Sequence, residues 1–115
     1  MFFDDETDGG RLVMGSERIK AKEILTLYGA SNAQKEAILP HSADGEEMKR
    51  RSHYIVLIHE SLKILLRDDI SRRDFMLKPG KGDLFKKRPP LVVMSTGSEQ
   101  DIKQVYEVIR NMLCF

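Results

Sequence analysis

Tryptophan is absent from this 115-residue chain, cysteine occurs once, and aromatic residues make up only 7% of it. A core with so few rings must rest on Leu, Ile, Val and Met, and a hydrophobic fraction of 41% is enough to build one in a single domain. The lone Cys114 excludes an internal disulfide and a cysteine-based zinc site. It fits a reducing compartment. No apolar run approaches the ~18 residues of a membrane-spanning helix. The opening Met1-Phe2-Phe3-Asp4-Asp5-Glu6 has neither the basic nor the apolar region of a signal peptide. Cys114 stands second from the end, where a prenylation box needs it fourth. The expectation is a cytoplasmic protein with no membrane partner.

Motifs that fix a chemistry are missing too. His41, His53 and His59 contain no pair four residues apart, the spacing that puts two ligands on one helical face. On a helix His53 and His59 would point about 120° apart. The zinc-protease pattern fails at Lys63, which stands where a second histidine is required after His59-Glu60. Ser61 lies on a leucine-rich face, and Cys114 has no positioned base beside it. Neither a metal, a cofactor nor an enzymatic activity is expected.

What the chain does have is sorted charge. Residues 49–88 hold twelve basic side chains against five acidic ones, whereas residues 1–48 hold five basic against ten acidic. The net charge of +1 hides this division. A basic segment flanked by acidic ones suggests a surface that faces a polyanion.

Local signals place these charges on elements. Residues 1–10 are either one strand of a short hairpin, with Phe2-Phe3 turning at Asp8-Gly9-Gly10 onto Leu12-Val13-Met14, or a frayed acidic terminus. Ser16 can cap a helix over 17–28 whose apolar Ala21, Ile24, Leu25 and Tyr28 repeat at helical spacing, with Gly29 as its stop. Ser31-Asn32-Ala33-Gln34 is a capping box for a short helix that ends at Leu39, before Pro40. The longest periodic stretch, 46–67, predicts a central helix along Met48, Ile55, Ile58, Leu62 and Leu65. Within it Tyr54-Ile55-Val56-Leu57-Ile58, read alone, would also suit a buried strand.

Asp69 or Ser71 can open one further helical turn. Phe75-Met76-Leu77 and Leu84-Phe85 around Lys78-Pro79-Gly80-Lys81-Gly82-Asp83 then predict a hairpin with a basic tip. Leu91-Val92-Val93-Met94 has the strongest strand character in the chain. A terminal helix follows Thr96-Gly97-Ser98, with capping-box spacing from Ser98 to Asp101 and a stripe of Ile102, Val105, Tyr106, Ile109, Met112 and Leu113. The fold expected is a single α+β domain, mostly helical, with a small antiparallel sheet near 12–14, 75–85 and 91–95.

That order of elements over 17–95 resembles a winged-helix DNA-binding domain. The stretch Leu62-Lys63-Ile64-Leu65-Leu66-Arg67-Asp68-Asp69-Ile70 is similar to the leucine-rich helix end that precedes the wing in that family. The resemblance implies DNA contact through the basic hairpin.

Lys49, Arg50, Arg51, Arg72, Arg73, Lys78, Lys81, Lys86, Lys87 and Arg88 are therefore the expected nucleic-acid-binding set, because such contact rests on cations that neutralise phosphates. Thr96, Gly97 and Ser98, at a turn that opens a helix, form a weaker candidate for holding an anion. The first functional expectation is a small non-enzymatic nucleic-acid-binding protein. The second is a protein-interaction module: an adaptor, an inhibitor or a mobile-element accessory protein. The apolar carboxyl end makes a homodimer through the terminal helix a further expectation.

Overall fold

A computed structural model describes residues 10–80 and 85–113, with side chains in the first helix from Glu17 onward. Six helices and no strand occur among the described residues: α1 Gly10–Leu27, α2 Asn32–Ile38, α3 Gly45–Leu65, α4 Asp69–Leu77, α5 Pro90–Met94 and α6 Glu99–Asn111. The expected α+β fold, its antiparallel sheet and the winged-helix likeness are thereby overturned.

Each misplaced strand has a physical explanation. Leu12-Val13-Met14 lies inside α1, which begins well before Ser16. Phe75-Met76-Leu77 is the last turn of α4, a helix started by Asp68, whose side chain accepts from the Ser71 amide at 2.7 Å. With that segment helical, Leu91–Met94 has no partner strand among the described residues. Pro90 at the first helical position, with its fixed φ, starts the single turn of α5 instead. An apolar run of four residues does not by itself distinguish a buried strand from a buried helical turn. The tip residues 81–84 and the proposed partner Phe2-Phe3 lie outside the described residues.

The readings at Gly29, Ser31 and Leu39 hold, whereas Ser16, expected to cap the first helix, lies inside α1. Ser31 and Gln34 form the reciprocal capping box of α2, and Leu39 closes that helix. Gly29 (φ +85°) ends α1 in a Schellman arrangement: its own amide donates to Thr26 O, and the Ala30 amide donates to Leu25 O, both at 3.0 Å. Asp44 caps α3 through the Glu47 amide at 2.8 Å.

Helix α3 is the middle layer, with α1 on one side and α6 on the other. Glu17 meets His53 and Tyr28 meets His59, so α1 and α3 run in the same sense. Ala21, Ile24, Leu25 and Tyr28 from α1 pack with Ile55, Ile58 and Leu62 from α3 and with Ile102, Val105 and Ile109 from α6. Met76, Phe85, Leu91, Val93 and Met94 close the far end of this core. Of the stripe expected on α6, Ile102, Val105 and Ile109 are completely buried, Tyr106 and Leu113 are partly buried, and Met112 is exposed.

Candidate functional site

The described cations of the ten grouped by sequence do not form one surface. Arg51 is only 4% exposed. Its guanidinium meets the Glu47 carboxylate at 2.7 Å and donates to Ile38 O at 3.1 Å and to Gly97 O at 2.8 Å. It therefore ties the end of α2, the body of α3 and the α5–α6 turn together. A buried guanidinium satisfied in this way is a structural strut.

Arg72 is a second strut. It is also buried, donates through Nη1 to Leu66 O at 2.6 Å and pairs with Asp69. That places a fixed cation on the carbonyl end of α3, where the helix dipole favours it.

Arg50 spends its fork on Glu99, with bonds of 2.8 and 3.2 Å that join α3 to α6. The guanidinium beside it holds the Glu99 carboxyl below the usual carboxylate range. Arg73 lies against the α1 terminus: a Cβ added at Gly29 would sit 3.2 Å from its Nη2. Lys78 faces Asp74 at 3.5 Å. Lys81 lies outside the described residues.

Lys49, Lys86 and Lys87 are exposed and have no ion-pair partner among the described residues. Lys86 (φ +49°) and Lys87 (φ +66°) are consecutive residues in left-handed backbone. That conformation costs non-glycine residues about 1–2 kcal/mol each. Buried Phe85 anchors this corner. The Arg88 amide and Nε both donate to Phe85 O, and Arg88 O accepts from the Gly80 amide at 3.0 Å.

The Thr96-Gly97-Ser98 turn is largely occupied by its own contacts. Thr96 Oγ1 donates to Asp101 Oδ2 at 2.6 Å, Gly97 O receives Arg51, and Ser98 makes no side-chain cap. The capping box expected from Ser98 to Asp101 is therefore not formed, and the Asp101 side chain accepts from Thr96 instead.

Two features went unread in the sequence. The first is a pair across α1 and α3: Tyr28 Oη lies 2.7 Å from His59 Nδ1, with the rings edge to face. Burial raises the Tyr28 pKa, so the phenol keeps its proton and donates it. Burial, Lys63 and Arg72 lower that of His59, which favours the neutral ring that can accept at Nδ1. Tyr28 was visible only as an apolar helix position, and nothing in the spacing joins it to a residue 31 positions away.

The second is an apolar cavity of about 300 Å³. Phe75 and Phe85 form its walls with Leu66 and Pro79, and Met112 reaches it from the end of α6. A run of Phe, Pro, Gly and Phe hints at apolar residues folding back on a turn, but not at a hollow.

No protein-family model, curated protein or solved structure matches the chain. Among the described residues, no group of three His, Cys, Asp or Glu side chains is placed to hold a metal. No helix among them is long and apolar enough to cross a membrane.

Proposed function

We propose that this chain is a non-enzymatic protein-interaction module. The supporting observation is the mismatch between its charged and apolar surfaces. Arg51 and Arg72, from the basic segment, serve the interior, and Arg50 and Lys78 are paired. At the same time large aliphatic side chains stand in solvent: Ile70 is 75% exposed, Ile64 72% and Ile19 61%. Ile64 and Ile70 flank the α3–α4 connection. Burying such groups against a partner yields about 1.5–3 kcal/mol each, a common basis of association between proteins.

The test is affinity capture by the full chain from extract treated with nuclease. A defined partner that survives nuclease and is lost in Ile64→Asp/Ile70→Asp supports the module. Capture that vanishes with nuclease contradicts it.

A second reading keeps nucleic acid as the partner, contacted by the Lys86-Lys87-Arg88 corner. The left-handed backbone that carries Lys86 and Lys87 outward favours it. Its signature is a gel shift at low salt whose log K falls steeply with log salt. A homodimer through the end of α6 would use Met112, 43% exposed, rather than the buried Ile102, Val105 and Ile109.

A further inference from the structure

We propose that the cavity between α4 and the end of α6 receives a large apolar side chain carried on an acidic segment of a protein partner. This deepens the interaction-module reading and rests on it.

Three observations define the site. The first is its size. At about 300 Å³ the hollow is at the bottom of the roughly 300–1,000 Å³ range of ligand pockets. It suits one or two side chains better than a cofactor. The second is its construction. Ser71, Asp74 and Phe75 lie at helical spacing along one face of α4, and its C-cap Lys78 with Leu66, Pro79, Phe85 and Met112 completes the lining. Phe85 is fixed in its wall because its ring occupies the space beside Gly80: a Cβ at Gly80 would come within 2.6 Å of it. Met112, by contrast, is 43% exposed and carries an unbranched, adaptable thioether chain, suited to closing around an inserted group.

The third observation is charge. Asp74, the acid in the lining, already faces Lys78 at 3.5 Å. Lys86 and Lys87 follow the wall residue Phe85 directly and point into solvent. The lining is thus mostly apolar, its one carboxylate already faces a lysine, and two exposed lysines adjoin its wall residue Phe85. Such a site favours an aromatic or large aliphatic anchor flanked by carboxylates, and it disfavours the same anchor flanked by lysines.

The test titrates the full isotope-labelled chain with acetyl-Asp-Asp-Phe-Phe-Asp-Asp-amide, following backbone amides by NMR. The proposal expects saturable shifts concentrated at residues 71–80, 85–88 and 112–113. Replacing both phenylalanines of the peptide by alanine should weaken binding roughly tenfold or more. Replacing its aspartates by lysines should weaken it severalfold, and Met112→Asp and Met112→Ser in the chain should each weaken it as well.

Absence of saturable shifts up to about 5 mM peptide overturns the proposal. So does equal binding of the lysine-flanked peptide, or a single-stranded oligonucleotide that moves the same amides at lower concentration. The two readings also fail separately. A protein partner retained by Met112→Asp as well as by the parent chain overturns the cavity assignment and leaves the module. Saturable peptide binding with no protein retained from extract overturns the module instead.

Discussion

Arg51 and Lys87 sit in the same stretch of positive sequence yet do opposite things. Arg51 is buried, bonded to backbone carbonyls and a carboxylate, and joins three segments of the fold. Lys87 stands in solvent on a backbone held in the left-handed region. Arg72 belongs with the first, and Lys86 with the second. The lesson is that a charge count along the chain measures composition, not surface. A guanidinium offers five donors in a rigid fork and can replace water on carbonyl oxygens inside a protein. A lysine ammonium is a strongly hydrated point charge that seldom does so.

This contrast yields effects of graded size. The largest is expected for Arg51→Ala, which strands the Ile38 and Gly97 carbonyls and the Glu47 carboxylate; it should lower stability by about 3 kcal/mol or more in urea unfolding. A loss below about 1 kcal/mol would mean that the buried contacts contribute little. Next comes Gly29→Ala, where a side chain would both strain a backbone at φ +85° and press on Arg73 and Leu77. A cost of about 1–2 kcal/mol is expected from the same measurement. A neutral result would show that the Schellman turn relaxes.

Tyr28→Phe is the intermediate case, removing the donor to His59 for about 1 kcal/mol. The same pair sets a pH dependence. The His59 pKa is lowered in the folded chain, so the unfolded chain binds that proton more readily. Stability contributed by neutral His59 is therefore fully present above the unfolded value of about 6.5 and is lost as pH falls through that region toward the lower folded value. The melting temperature should drop between about pH 7 and pH 5, and His59→Gln should flatten that drop. An unchanged slope in His59→Gln would assign the effect to other groups.

The smallest effect belongs to the corner. Lys86→Ala and Lys87→Ala should each change stability by less than about 0.5 kcal/mol, because neither side chain is packed. Lys87→Gly should be neutral or slightly stabilising, since glycine accepts the left-handed backbone. A marked loss from either alanine variant would reveal packing at the corner.

Local rules carried the sequence reading furthest. Ser31 with Gln34, Gly29 and the helical repeats of α1, α3 and α6 were legible because each depends on neighbours within a turn or two. Leu91–Met94 was not, because a four-residue apolar run takes its conformation from what packs on it. Arg51 and Arg72 were read as surface cations because their partners, apart from Glu47 and Asp69, are carbonyl oxygens, which have no sequence signature. The cavity needed Phe75, Phe85 and Met112 together, and Met112 lies 37 positions from Phe75 along the chain.

The most direct test sets the two regions side by side in one equilibrium unfolding series. It compares the parent chain, Arg51→Ala, Arg72→Ala and the double variant Lys86→Ala/Lys87→Ala. The account predicts that both arginine variants unfold at clearly lower urea while the lysine double variant overlays the parent. Arginine variants as stable as the parent, or a lysine variant that loses as much as they do, would contradict it.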